Sequence, residues 1–149
     1  MIIITDEKIW EKILNTKPID PDFLKRCQDY AKLFSDKFIN IYLDDLRPAP
    51  KGFVLVKTVK ECQILMMNNK GKINILSLDH DLGKGKTGYD LVKWLVFYNG
   101  KEGYGENLFP NKIYLHTANP VGRENMYRLL EHYKPDYVKI YNSPIPNNM

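Results

Sequence analysis

Residues 73–83 read Ile-Asn-Ile-Leu-Ser-Leu-Asp-His-Asp-Leu-Gly, a short apolar run that passes directly into two carboxylates and a histidine. The run is rich in isoleucine and leucine and is followed by a glycine-containing loop, which is typical of a buried strand. The side chains of Asp79, His80 and Asp81 are of types that a core rarely accommodates. The stretch therefore predicts a strand that presents functional groups at its carboxyl end.

Runs of the same kind lie on both sides of this strand and alternate with helical patterns. Strands are predicted at Ile39–Leu43, Phe53–Lys57, Ile73–Leu78, Lys112–His116 and Tyr137–Tyr141. Helices with capping signals are predicted from Thr58 to Asn69, from Thr87 to Tyr98 and from Asn119 to Tyr133. This alternation predicts an α/β fold with a mostly parallel sheet of five strands.

The amino-terminal part differs from this pattern because it carries helical signals only. A helix is predicted to open at Asp20-Pro21, an N-cap followed by proline at the first helical position. Residues 1–36 are therefore predicted to be a helical extension and residues 37–149 an α/β domain, together forming one compact domain. The link from Asp44 to Gly52 is too short for an ordinary parallel crossover, so its helix is expected to be vestigial or missing.

The composition excludes disordered, fibrous and membrane-spanning classes. Of the 149 residues 44% are apolar and 27% charged, and no run approaches the roughly 18 apolar residues of a membrane span. Residues 1–4 lead into charged residues rather than a secretory core. We expect a cytoplasmic protein with no membrane partner, no stable protein partner, and reduced thiols at Cys27 and Cys62. The net charge of +4 is too small to argue for nucleic-acid binding.

Polar side chains follow three of the predicted strands. They are Asp44, Asp45 and Arg47 after the first, Asp79, His80 and Asp81 after the third, and His116, Thr117 and Asn119 after the fourth. Because ligands of open α/β sheets bind beyond the carboxyl ends of the strands, we expect one crevice lined by these groups. Helix N-termini near Thr87 and Asn119 would face the same crevice and attract phosphate, although both residues are also preferred caps.

The carboxylates of this group would repel one another unless a cation lay among them. A metal site is therefore predicted at Asp44, Asp45, Asp79 and Asp81. Oxygen ligands favour Mg²⁺ or Mn²⁺ over zinc. A solvated acidic rim is the alternative interpretation.

Basic side chains supply the remaining chemistry. His80 and His116 are candidates for a general acid or base, or else are neutral structural imidazoles. Arg47 and Arg123 are predicted to bind a phosphate group.

The motifs resemble those of response-regulator receiver domains. In receivers an acidic pair, here Asp44 and Asp45, holds Mg²⁺, an aspartate at the place of Asp79 accepts a phosphoryl group, and a hydroxyl at the place of Thr117 contacts it. Two features depart from that pattern. His80-Asp81 replaces an apolar turn, and Lys139 is a poor match for the lysine that ends the fifth strand.

A closer similarity is to the cyclic-phosphate-processing receiver-like family, over residues 39–133. Four motifs carry it in order: Leu43-Asp44-Asp45-Leu46-Arg47-Pro48, Leu78-Asp79-His80-Asp81-Leu82-Gly83, Thr87-Gly88-Tyr89-Asp90 and the stretch His116-Thr117-Ala118-Asn119-Pro120-Val121-Gly122-Arg123-Glu124-Asn125. The resemblance implies a receiver-like (flavodoxin-like) three-layer sandwich. It also implies a catalytic role for Thr117 and phosphate contacts from Thr87, Gly88, Asn119, Arg123 and Asn125.

Together these features predict a metal-dependent phosphoesterase, a phosphoric ester hydrolase acting on a cyclic phosphate of a nucleotide or an RNA end. The metal would activate water, and His80 or His116 would transfer protons. Asp79 is alternatively a nucleophile, and a metal-free route through both histidines is a third possibility. Two other functions stay open: a module that sequesters a nucleotide or phosphate ligand without turnover, and a phospho-accepting signalling receiver.

Overall fold

The computed structural model of the chain describes residues 22–33, 38–83, 85–100 and 108–147. In chain order the elements are α1 (Phe23–Leu33), β1 (Ile39–Leu43), β2 (Val54–Val56), α2 (Val59–Met67), β3 (Ile73–Leu78), α3 (Gly88–Gly100), β4 (Lys112–Leu115), α4 (Pro120–Tyr133) and β5 (Lys139–Tyr141). Most of the predicted amino-terminal extension, residues 1–21 and 34–36, lies outside the described residues. None of the helices in the described ranges is long and apolar enough to cross a membrane.

The five strands form one sheet in the order β2-β1-β3-β4-β5, and every neighbouring pair is parallel. This is the strand order of flavodoxin-like sheets, in which the direction of winding reverses between β1 and β3. The predicted receiver-like α/β fold is confirmed, with a sheet that is parallel throughout.

Strand and helix residues share one hydrophobic core. The strand residues of this core are fully buried and include Ile41, Leu43, Leu76, Leu78, Ile113 and Leu115. The helices contribute apolar residues at helical spacing, such as Leu91 and Leu95 of α3 and Met126 and Leu130 of α4. Burial of each such side chain contributes roughly 1.5–3 kcal/mol. The sheet and its helices therefore hold the ends of the strands in fixed positions.

The side of the sheet opposite these core residues carries polar and aromatic residues. Tyr42, Ser77 and Tyr114 are register partners across β1, β3 and β4, and they alternate with the core residues. Asp44, Asp79 and His116 lie two residues further along the same strands. Backbone hydrogen bonds continue the ladder to all three of these residues. Because side chains alternate with a period of two, the three side chains converge on this side of the sheet.

The first crossover contains no helix, as predicted. All residues between Leu43 and Val54 are described, and the chain turns there through Gly52, whose φ is +87°. Helix α1 instead lies along the free edge of β2, where Arg26 Nε donates to the carbonyl oxygen of Leu55 at 2.9 Å. The Arg26 guanidinium also pairs with the buried carboxylate of Glu61 in α2 at 2.6 Å. The helix thus protects an edge strand that would otherwise expose unpaired backbone groups.

The two cysteines are free and buried in the helical core, as the sequence predicts. Burial raises the pKa of Cys27 to about 12 and raises the pKa of Cys62 as well. Both side chains are therefore protonated and behave as small apolar groups.

Candidate functional site

Three of the predicted site residues converge at the carboxyl ends of β1, β3 and β4. Asp44, Asp79 and His116 each offer a ligand atom, and these atoms all lie within 4.8 Å of one another. Asp44 and His116 are buried, whereas Asp79 is half-buried. These three residues are therefore positioned where they could hold a metal ion, and we refer to them as the carboxyl-end cluster.

Asp44 organises the loop that follows β1. Its Oδ1 accepts hydrogen bonds from the backbone N–H groups of Leu46 and Arg47, both at 2.8 Å, in an Asx-type turn. Arg47 Nη1 in turn donates to the carbonyl oxygen of His116 at 3.0 Å. These bonds tie the loop after β1 to the end of β4, and they leave the Arg47 side chain half exposed beside the cluster.

His116 crosses β3 to reach the end of β1. Its Nε2 lies 3.0 Å from Asp44 Oδ2, its Nδ1 lies 2.7 Å from Ser77 Oγ, and its ring stacks on Tyr42 at 4.2 Å. Burial lowers the pKa of His116 below its ordinary value, although Asp44 opposes this shift. The neutral ring fits the network when Ser77 donates to Nδ1 and Nε2–H donates to Asp44. Only 1% of this side chain is exposed.

His80 has a different environment. Its Nδ1 lies 3.0 Å from Asp81 Oδ1, and Asn119 Nδ2 lies within 3.3 Å of Asp81 Oδ2. The hydrogen bond from His80 lowers the pKa of Asp81. Among the residues that the structure describes, no group bonds to His80 Nε2, and 18% of the side chain is exposed. His80 is therefore the more accessible histidine of the site, and Asp81 contacts it rather than the carboxyl-end cluster.

Two glycines allow the helix N-termini to approach the loop after β3. A Cβ atom on Gly122 would collide with the His80 ring, and one on Gly88 would collide with the carbonyl of Asp79. Asn119 caps α4 by accepting from Gly122 N at 3.0 Å, and Gly88 N donates to His80 O at 2.8 Å. Both helix N-termini therefore lie directly against residues 79–80. Gly122 was not predicted as a site residue, although a glycine in the first turn of a helix is a recognisable signal.

Asp45 lies beside the loop after β3 rather than in the cluster. Its Oδ2 lies 3.1 Å from the position that a Cβ of Gly83 would take. Its Oδ1 is buried and has no hydrogen-bond partner among the described residues. A buried carboxylate oxygen without a donor is costly, and a cation would remove that cost.

The remaining predicted residues divide into caps and surface groups. Thr87 forms a capping box with Asp90, in which Asp90 Oδ2 accepts from Thr87 N at 2.8 Å. Thr117 is buried, and its Oγ1 accepts from Asn119 N at 3.1 Å. Arg123 is half-buried and Asn125 exposed in the first turns of α4. Thr87, Thr117 and Asn119 thus all have structural roles.

The fifth strand brings no lysine to the site. Lys139 begins β5 opposite Lys112, which begins β4, so it lies at the edge of the sheet away from the cluster. The residues that follow β5 are Asn142 and Ser143, and both are exposed. The departure from ordinary receivers that the sequence indicates is therefore also present in the structure.

Comparison with protein families gives one finding that bears on this site. The family model of the cyclic-phosphate processing receiver domain matches residues 39–132. The chain belongs to this family. The match covers β1 through most of α4, and the carboxyl-end cluster, His80 and both glycines lie within it. No curated protein and no solved structure matches the chain.

Proposed function

We propose that this protein is a metal-dependent phosphoric ester hydrolase that opens a cyclic phosphate of a nucleotide or an RNA end. The observation that carries the proposal is the pairing of an accessible histidine with a potential metal site. His80, whose Nδ1 contacts Asp81, directly follows Asp79 of the carboxyl-end cluster, which also contains Asp44 and His116. The family description, which names cyclic phosphates, supports the substrate class.

The residues present fit a divalent cation. The carboxyl-end cluster offers two carboxylates and an imidazole within 4.8 Å, and the adjacent Asp45 carries a buried Oδ1 that has no partner among the described residues. An imidazole in the set favours Mn²⁺ over Mg²⁺, which prefers oxygen ligands alone. When bound, such a cation neutralises phosphate oxygens and lowers the pKa of a bound water.

His80 is the proposed general base and acid. Asp81 accepts from Nδ1–H, which leaves the lone pair of Nε2 to take a proton from the attacking water. The water oxygen forms a bond to phosphorus as the endocyclic P–O bond breaks. The departing alkoxide then takes the proton from Nε2–H, and the product is a ring-opened phosphomonoester. Such proton transfer contributes typically about 10²–10⁴-fold to the rate.

Phosphate binding is assigned to groups that border the carboxyl-end cluster or residues 79–80. Arg47 is half exposed, and its Nη1 is anchored to His116 O, so the guanidinium is held in place while its other donors can contact a phosphate. The N-termini of α3 and α4 lie against residues 79–80 and would stabilise the developing negative charge. Arg123 and Asn125 on α4 are proposed as further phosphate contacts.

The test compares two histidines, His80 and His132, as single alanine variants. With Mn²⁺ and a panel of 2′,3′-cyclic nucleotides, His80→Ala is expected to lower kcat by about 10²–10⁴-fold with little change in ligand affinity. His132→Ala, at the distant end of α4, is the matched control and should retain activity. Tight binding without product in wild type would indicate a sequestering module. A stable phosphoryl group on Asp79 after exposure to acetyl phosphate would indicate a receiver.

A further inference from the structure

Ser77 is a buried polar residue that belongs to none of the sequence motifs. It lies in β3 with no exposed surface, between Tyr42 of β1 and Tyr114 of β4 in the register of the sheet. The ring of His116, which follows β4, passes over β3 to reach Asp44 after β1. A small side chain at Ser77 leaves room for that ring, and its hydroxyl meets Nδ1 at 2.7 Å.

The hydroxyl differs from other possible partners because it can both donate and accept. In the metal-free protein His116 Nε2–H donates to Asp44 Oδ2, so Nδ1 accepts from the Ser77 hydroxyl. An Nε2 atom that binds a cation must present its lone pair, so the ring proton moves to Nδ1. The same Ser77 oxygen can then accept from Nδ1–H without any movement of the ring.

We propose that Ser77 is a positioning residue for the cation site: its hydroxyl holds the His116 ring and reverses from donor to acceptor when Nε2 binds a divalent ion. This inference rests on the proposed function, because it takes the carboxyl-end cluster to be the cation site. A role for Ser77 as a nucleophile is excluded by its complete burial within β3. Ser77, His116 and Asp44 are therefore hydrogen-bonded in the same order as a Ser-His-Asp triad, but they do not form a catalytic triad.

Without the hydroxyl, the two states of the ring are affected unequally. In a Ser77→Ala variant the metal-free ring would bury an unpaired nitrogen lone pair. In the ion-bound state the variant would bury an Nδ1–H donor that has no acceptor, whereas in wild type the Ser77 oxygen accepts from it. Loss of a partner that orients a metal-binding histidine typically weakens metal affinity by about 10–100-fold. Ser77→Ala is therefore expected to raise the dissociation constant for Mn²⁺ by about that factor.

The experiment measures Mn²⁺ binding by electron paramagnetic resonance and the His116 ring nitrogens by ¹⁵N NMR, the latter with Zn²⁺, a diamagnetic divalent ion that accepts imidazole ligands. Wild type, Ser77→Ala and Tyr114→Phe are compared, since Tyr114→Phe removes a hydroxyl from the neighbouring strand position. Expected results are weaker Mn²⁺ binding in Ser77→Ala alone and, in wild type, transfer of the ring proton from Nε2 to Nδ1 on ion binding. If Ser77→Ala does not fold, Ser77→Cys is used, because its thiol is a weaker partner of similar size and should also weaken binding.

The outcomes separate this inference from the proposed function. Equal Mn²⁺ affinity in wild type and the Ser77 variant would overturn the role of Ser77 and leave the hydrolase proposal intact. A wild-type protein that binds no divalent ion would contradict the metal site itself, and both proposals would fall. A ring proton that stays on Nε2 in the ion-bound protein would overturn the proposed reversal.

Discussion

His80 and His116 follow neighbouring strands, but their surroundings give them different chemistry. His116 is enclosed by Ser77, Tyr42 and Asp44, whereas His80 keeps an accessible edge and contacts the exposed carboxylate of Asp81. The sequence predicts both as candidates for proton transfer and cannot separate them. The difference depends on strand register, which places one ring across β3 and the other against α4.

The buried ring of His116 predicts how the stability of the metal-free protein depends on pH. Burial holds the pKa of His116 below its ordinary value of 6.5, so the unfolded chain binds this proton more readily than the native protein does. Above pH 6.5 the ring is neutral in both states, and the contribution of His116 to stability is fully present. This contribution is lost as the pH falls through 6.5 towards the lower pKa of the native protein, because the unfolded chain takes up the proton first. The free energy of unfolding, measured with urea, should decrease as the pH is lowered from 7.5 to 5.5.

The control for this prediction is a pair of glutamine variants. His116→Gln should reduce the decline with pH, even though its stability at pH 7.5 is lower. His132→Gln should keep the full decline, because His132 lies on the exposed surface of α4. A decline unchanged in His116→Gln would show that other groups cause it.

At the scale of the elements, the helix starts were the most predictable features. Thr58 accepts from Glu61 N at 3.1 Å at the start of α2, and Asn119-Pro120 opens α4, as the capping signals indicate. Strand ends were predicted within a few residues, and the missing crossover helix followed from chain length alone. The sequence does not reveal the importance of Ser77 and Gly122, because each acts on a side chain that another part of the chain places against it. Ser77 contacts the His116 ring, and Gly122 leaves room for the His80 ring.

The approach of α4 to the loop after β3 depends on Gly122. In Gly122→Ala the new Cβ would displace the His80 ring, so kcat should fall and stability should drop by about 1–3 kcal/mol. Thermal unfolding and turnover assays measure both effects. Val121→Ala is the matched control, since Val121 is 70% exposed in the same turn and should tolerate truncation.

A double-variant cycle shows whether the two residues act through one contact. In the His80→Ala background the ring is absent, so Gly122→Ala should cost far less stability than it does alone. An equal cost in both backgrounds would indicate that Gly122 affects α4 itself rather than the position of His80.

At the scale of the whole molecule, the sheet brings distant parts of the sequence into one charged site. Among the described residues no group donates to the buried Oδ1 of Asp45, so we expect this carboxylate to oppose folding of the metal-free protein. Asp45→Asn is therefore expected to raise the melting temperature without metal and to reduce the further rise that Mn²⁺ produces. Calorimetry with and without Mn²⁺ measures both quantities.

Asp136→Asn is the matched control for charge, because Asp136 is exposed and lies just before β5. It should leave both melting temperatures close to those of wild type. If Asp45→Asn lowers the metal-free melting temperature and keeps the full response to Mn²⁺, then Asp45 supports the loop and takes no part in cation binding.

Hydrolysis of a cyclic phosphate at this site can be followed by ³¹P NMR in a single reaction. A catalytic amount of wild-type protein is added, together with Mn²⁺, to a 2′,3′-cyclic nucleotide, and the spectrum is followed with time. We predict that the resonance of the cyclic ester decays while that of a phosphomonoester grows in equal amount, and that His80→Ala nearly abolishes the change. If the cyclic resonance decays no faster with wild-type protein than in a protein-free sample, the site does not hydrolyse this ester.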